Sequence, residues 1–191
     1  MATLHYEKNI DVRKSYDVIV AGAGPAGICA AVAAAREGAK VALVERYGVV
    51  GGNLTAGYVG PILGMVGKGT MRDELVRLLG VPDNDMIGVT GKAHDMERAK
   101  LVLAEFVNHE NIDVYLQSSV YDVVKEGDAV KGLILATNEG HFAIMAKVVV
   151  DATGDAVVSY LAGADIEKGR EDGLMPVSYT HLRAHETPEH L

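Results

Sequence analysis

Three glycines in the spacing Gly22-x-Gly24-x-x-Gly27, followed eighteen residues later by Glu45, carry the clearest chemistry in this chain. The first glycine permits a tight turn, the second lets a pyrophosphate approach the backbone, and the third lets a helix pack closely on a strand. An anion held this way sits on free N–H groups at a helix start and needs no basic side chain. Glu45 closes the second strand of the unit. A carboxylate there accepts hydrogen bonds from both ribose hydroxyls and repels a 2′-phosphate. The pattern points to a dinucleotide, FAD or NAD rather than NADP.

Such a site needs a strand, a turn, a helix and a second strand, in that order. Tyr16 to Ala21 is a short, apolar, β-branched run that predicts a buried strand. Pro25 sits at the first helical position, where its missing N–H costs nothing. Pro25 to Glu37 is Ala-rich and predicts a helix stopped by Gly38, and Lys40 to Glu45 predicts the second strand. A unit of this kind makes parallel neighbours through a right-handed crossover. Arg46 to Gly69 is too rich in glycine for a regular element, and a loop that long is usually functional. Helices are expected over Met71 to Leu79 and Asp95 to His109, with a third strand over Asp113 to Leu116. The pattern then changes: Ser119 to Lys125, Ala129 to Ala136 and His141 to Val150 are β-rich and separated by turn residues. They predict an antiparallel meander. A buried strand, Lys147 to Asp151, then leads into Ala152 and a short helix ending at Gly163.

Composition narrows the function classes. The 191 residues are 49% apolar and 23% charged, which fits a packed chain rather than a disordered one. The net charge of −8 argues against a general binder of nucleic acid or of anionic membranes. A single cysteine, Cys29, excludes an internal disulfide and any cluster held by several cysteines of this chain. Cys29 is expected to be a small core residue. His94, His109 and His141 lack metal-ligand spacing and are expected at the surface. The runs Val18 to Ala35 and Val49 to Gly67 reach spanning length, but their glycines and prolines argue against membrane helices. The charged first seventeen residues lack a secretory pattern, so the expected location is cytoplasmic, with no membrane or nucleic-acid partner.

FAD and NAD share the glycine spacing, so three further features decide between them: the meander, the loop Gly51-Gly52-Asn53-Leu54-Thr55, and the segment Asp151-Ala152-Thr153-Gly154-Asp155. With these in order, the chain from about Asp17 to Met175 resembles the two-dinucleotide-binding-domain flavoproteins. Among them it is most similar to the bacterial FAD-dependent oxidoreductases that include heterodisulfide reductase and its relatives. The resemblance implies an α/β, Rossmann-like FAD/NAD(P)-binding domain with a parallel sheet and a three-stranded antiparallel meander as crossover. It also implies transfer of hydride or electrons between an unknown substrate and FAD.

Site residues follow from the same resemblance. Gly22, Gly24, Pro25 and Ala26 would face the FAD pyrophosphate, with Gly27 closing the fingerprint. Glu45 would hold the adenosine ribose, and Arg46 would lie on the adenine side. Gly51, Gly52 and Asn53 would pass near the pyrophosphate or ribityl chain, with Thr55 as a hydroxyl donor. Val120 would offer backbone to adenine. Ala152, Thr153 and Gly154 would close over the cofactor, and Asp155 would cap the next helix or reach the flavin. No catalytic acid or base and no metal ligand can be named, and substrate, redox partner and oligomeric state stay open. Two alternatives remain: an NAD-binding, thiazole-synthase-like enzyme, and a non-catalytic nucleotide-binding module.

The last sixteen residues, Pro176 to Leu191, break the pattern. They have no helical or strand period. Back-translation of Val177 to Thr187 resembles a transposase-end adapter used in DNA library preparation. The expected organisation is a polar lead-in over 1–16, an incomplete FAD-binding domain over 17–175 lacking its substrate domain, and a non-native tail over 176–191. A fragment of this kind is expected to be inactive by itself.

Overall fold

The computed structural model describes residues 3–60, 62, 69–81, 94–167 and 169, so the segment 176–191 lies outside the described residues. Among the described residues six strands form one sheet, in the order β3-β2-β1-β6-β5-β4. They are β1 (Val12–Ala21), β2 (Val41–Val44), β3 (Ile112–Tyr115), β4 (Ser119–Glu126), β5 (Ala129–Thr137) and β6 (Gly140–Asp151). The helices are α1 (Pro25–Arg36), α2 (Met71–Leu78), α3 (Met96–Phe106) and α4 (Val157–Leu161). No helix among the described residues is long and apolar enough to cross a membrane.

The expected β-turn-α-β unit is present. β1 pairs in parallel with β2, Val18 opposite Val41 through Ala21 opposite Val44. β2 pairs in parallel with β3, and β1 with β6. α1 lays Gly27, Ile28, Ala31, Val32 and Ala35 against this sheet, the small side chains letting the helix approach closely. α3 adds Ala99 and Leu103 to the same core. Its start is fixed by Asp95, whose carboxylate accepts the N–H groups of Glu97 and Arg98, both at 3.0 Å. The glycine-rich loop after β2 carries one 3₁₀ turn, Gly52–Leu54.

Two expectations about strands are corrected. Lys147 to Asp151, expected to be buried, is the exposed to half-buried end of β6, the strand that also holds His141 to Val150 and that pairs antiparallel with β5 at its start and parallel with β1 along most of its length. The meander therefore extends the main sheet through a shared strand. Likewise, β1 begins at Val12 rather than Tyr16, because Val12 to Tyr16 find backbone partners in Ala143 to Ala146. The exposed, mostly polar positions 12–15 become strand through pairing with a distant segment, not through their own propensity.

The sheet's second face has its own core. Tyr16, Ile19, Ala42 and Val44 from the parallel strands pack with Leu133, Leu135, Phe142 and Ile144 from the meander. At its margin the Tyr16 hydroxyl donates to Asp113 at 2.6 Å and meets the Tyr115 hydroxyl at 2.6 Å, while Lys14 pairs with Asp113. The Lys14 and Tyr16 hydrogen bonds hold the Asp113 carboxyl below the usual range. This network ties β1 to β3 across β2.

Candidate functional site

The C-terminal ends of β1, β2 and β6 open onto one cleft of about 400 Å³, within the size range of small-molecule sites. This is where ligands sit on an open parallel sheet. Its floor is the glycine turn between β1 and α1, which contributes Gly22, Gly24, Pro25 and Ala26. One wall is the end of β2, with Glu45, Arg46 and Tyr47, and the opposite wall is the turn after β6, with Ala152, Thr153, Gly154 and Asp155. Gly52 and Asn53 enter from the loop, and Val120 from the outer strand β4.

The glycines do different work. Gly22 has φ +90°, and a Cβ there would lie 2.7 Å from the Ala152 carbonyl oxygen. Its N–H donates to the Val44 carbonyl at 2.8 Å, closing the turn onto β2. A Cβ on Gly27 would lie 1.8 Å from the Gly22 carbonyl oxygen, so only glycine lets α1 seat on the turn. A Cβ on Gly24 would meet no protein atom within 4 Å. That open space lies at the start of α1, whose cap is Gly24 and whose first turn carries no acidic residue. The first amides and the positive end of the helix dipole are thus available to an anion.

Glu45 is 5% exposed. One carboxylate oxygen accepts the Ala23 N–H at 2.8 Å and the other accepts the Tyr47 N–H at 2.9 Å. The carboxylate therefore ties the glycine turn to the segment after β2. A carboxylate has about four acceptor positions, so two bonds leave capacity for ribose hydroxyls. Arg46 is exposed, with its guanidinium carbon 4.8 Å from the centre of the Tyr47 ring.

The second loop is fastened to the first. Gly51 donates its N–H to the Ala23 carbonyl at 2.7 Å, and a Cβ on Gly52 would stand 2.9 Å from the Gly24 Cα. Gly27, Gly51 and Thr55 do not line the cleft. Thr55 is fully buried and its hydroxyl donates to the Val50 carbonyl at 2.7 Å. The expectation of a hydroxyl offered to the cofactor is replaced by a loop staple. Asp155 is exposed at the rim and does not cap α4. The Thr153 hydroxyl accepts the Val157 N–H there at 2.7 Å. Of the two roles expected for Asp155, only the one facing the cleft remains.

Asp151 organises this turn. One of its oxygens accepts the Thr153 hydroxyl at 2.6 Å and the Thr153 N–H at 3.1 Å. The other accepts the Ser159 N–H at 2.9 Å and hydroxyl at 2.8 Å. Burial pushes the carboxyl up, but these four bonds outweigh it and hold Asp151 below its usual range. A carboxyl depressed in the folded chain stabilises it above the unfolded value, about 3.9, and that contribution fades as pH falls through the lower folded value. Asp151→Asn should therefore lower Tm at pH 7, and the gap from the unaltered chain should close in that acid window. Thermal melts from pH 7 to pH 3 check this; a gap constant with pH would contradict it.

Several cleft residues escaped the sequence reading: Val44, Tyr47, Ala56, Gly57, Ser118, Ser119 and Val157. Ser118 is buried, donates its hydroxyl to the Leu116 carbonyl at 2.9 Å, and gives its N–H to the Glu45 carbonyl at 2.9 Å. The turn chemistry of Ser118 and Ser119 was the available signal. His94 is also corrected. It is buried at 5% exposure rather than lying at the surface. Among the described residues no three His, Cys, Asp or Glu side chains gather as a metal site.

Comparison with known proteins agrees with this geometry. The family model described as FAD dependent oxidoreductase matches residues 17–185. That span includes the first ten residues of the segment 176–191. A digeranylgeranylglycerophospholipid reductase of Picrophilus torridus is 29% identical over 156 residues, 73% of this chain and 39% of that protein. The chain thus spans well under half of that relative's length. Among solved structures, THI4 of Thermovibrio ammonificans superposes with a TM-score of 0.59 at 26% identity, over 77% of this chain and 61% of that one. A geranylgeranyl bacteriochlorophyll reductase-like protein of Thermoplasma acidophilum gives 0.56 at 22% identity, over 80% and 43%, which shows the shared fold. Matched across most of its length, glycine turn, Glu45 and closing turn included, this chain belongs to the FAD-dependent oxidoreductase family, and FAD is its cofactor.

Proposed function

We propose that this chain is the FAD-binding part of an oxidoreductase that exchanges hydride or electrons with a small-molecule substrate or redox partner. The observation that carries the reading is the cleft itself: an unfilled space beside Gly24 at a helix start that no side chain caps, with the buried Glu45 carboxylate on its wall. Those groups suit a pyrophosphate and a ribose, so the residues present fit FAD. When bound, FAD supplies the redox chemistry.

The chain's own residues bind and orient it. The amides at the start of α1, above Gly24, Pro25 and Ala26, would hold the pyrophosphate, and Glu45 the ribose hydroxyls of the adenosine half. Arg46, Tyr47 and the Val120 backbone would flank adenine. Gly52 and Asn53 would border the pyrophosphate or ribityl chain from the side, and Ala152, Thr153, Gly154 and Asp155 would cover it. Gly22 lines the floor and shapes its turn, while Gly27, Gly51 and Thr55 act beneath the site by shaping its two loops. A substrate domain outside this chain would supply the catalytic acid or base. The proposed setting is cytoplasmic. The segment 176–191 is proposed to be adapter-encoded, and sequencing the source gene beyond codon 175 tests that.

The 191-residue chain should retain FAD through gel filtration yet show no steady-state turnover with common electron donors and acceptors. A protein extended by its native downstream sequence should turn over. Turnover by the 191-residue chain alone would contradict the proposed division of labour. The fold shared with THI4 keeps a second reading in view, an NAD-binding thiazole-synthase-like enzyme. Retention of NAD in preference to FAD would favour it.

A further inference from the structure

His94 stands immediately before Asp95, the cap of α3, and its ring reaches into the loop that borders the cleft. One ring nitrogen, Nε2, lies 2.7 Å from the Leu54 carbonyl oxygen, and the other, Nδ1, lies 2.8 Å from the Gly60 carbonyl oxygen. A carbonyl oxygen only accepts, so each contact needs a ring N–H: a neutral ring donates to one of the two carbonyls and sits against the other, and only the imidazolium donates to both. The two carbonyls bracket residues 54–60, the half of the loop that returns from the cleft. Within that bracket Gly57 donates to the Gly52 carbonyl at 3.0 Å and Val59 donates to the Asn53 carbonyl at 2.8 Å. Gly52 and Asn53 are cleft residues.

α3 supports the same loop at two more points. A Cβ on Gly51 would lie 2.7 Å from the Leu103 Cδ1, and the Tyr58 hydroxyl donates to the Glu97 carboxylate at 3.1 Å. The Tyr58 contact is exposed, and an exposed bond holds a loop weakly. The His94 contacts are buried, where a lost partner leaves a carbonyl unsatisfied. Among the described residues, His94, just before α3, is thus the buried polar attachment to residues 54–60 of the loop.

We propose that His94 is a positioning residue for the cofactor: its ring clasps the Leu54 and Gly60 carbonyls and so holds Gly52 and Asn53 in the shape that receives FAD. The inference rests on the FAD reading above for its consequence, but the clasp itself can be tested without FAD.

The test is amide hydrogen exchange on the full chain without ligand, followed by titration with FAD. In His94→Ala, the Gly57 and Val59 amides should exchange about ten-fold faster or more, as expected for loss of buried hydrogen bonds. The Val20 and Leu43 amides of the central strands should be unchanged. FAD affinity should fall by about ten-fold or more. His94→Gln, whose amide can still donate, should recover part of both losses. If His94→Ala also loosens the central strands, the decision passes to His94→Gln. Protection of Gly57 and Val59 should then lie between those of the unaltered chain and His94→Ala. Unchanged loop protection in either folded variant would overturn the clasp. Loosened loops with unchanged FAD affinity would overturn the link to the cofactor. Absence of FAD binding by the unaltered chain, with the loop effect intact, would overturn the cofactor reading and leave the clasp standing.

Discussion

Gly27→Ala should cost the fold about 3 kcal/mol and weaken FAD binding at least about a hundred-fold. The added Cβ would stand 1.8 Å from the Gly22 carbonyl oxygen, well inside any van der Waals contact. The turn has no room to retreat. Gly22 is itself held at φ +90°, and a Cβ at that position would already touch the Ala152 carbonyl at 2.7 Å. Strand end, turn and closing segment are therefore stacked with no slack, and α1 must lift off the sheet. For a chain of this length such a loss lowers Tm by roughly 6–12 °C. Gly24→Ala is the contrasting case. Its Cβ would meet no protein atom, and Gly24 has φ −69°, which alanine adopts without strain. Stability should hold or rise slightly, while FAD affinity falls because the methyl group occupies the space beside the helix start. Thermal melts and FAD titrations of the two variants separate the glycine that builds the site from the glycine that leaves it open. Equal loss of stability in both would contradict this assignment.

Glu45→Gln should lower FAD affinity by about ten- to a hundred-fold and destabilise the ligand-free chain by about 1–3 kcal/mol. The carboxylate accepts two backbone N–H groups through its two oxygens. An amide has one oxygen, so either Ala23 or Tyr47 would face an NH₂ donor in a buried place. The same exchange removes acceptor capacity for the ribose. Glu45→Asp keeps the charge but shortens the reach, and should fall between the two. Calorimetric melts and FAD titration check both effects. Full FAD affinity in Glu45→Gln would show that Glu45 only fastens the loops.

The parts of the site legible in the sequence are those fixed by local rules. The Gly22–Gly27 turn, the proline at the start of α1 and the acidic end of β2 sit in one stretch of about thirty residues, a length typical of such units. Their spacing encodes their geometry. Other features depend on partners far along the chain. Residues 12–15 are exposed and mostly polar, and they become strand only because β6 lies beside them. The meander's place in the main sheet depends on β6 serving both β1 and β5, which no local period reveals. His94 shows no spacing signal because its partners are backbone carbonyls 34 and 40 residues away. Thr55 resembled a cofactor donor in the sequence because it lies beside Gly51-Gly52-Asn53, yet its hydroxyl turns inward to Val50. Capping by Thr153 rather than Asp155 follows from Asp151, which orients that hydroxyl through a 2.6 Å bond.

The central claim is that the cleft receives the adenosine-diphosphate half of FAD, with Glu45 on the ribose and the start of α1 on the pyrophosphate. A competition titration tests it most directly, measuring FAD binding to the chain in the presence of ADP or of FMN, which lacks the adenosine half. The account predicts that ADP displaces FAD and that FMN at the same concentration does not. Displacement by FMN with none by ADP would contradict it.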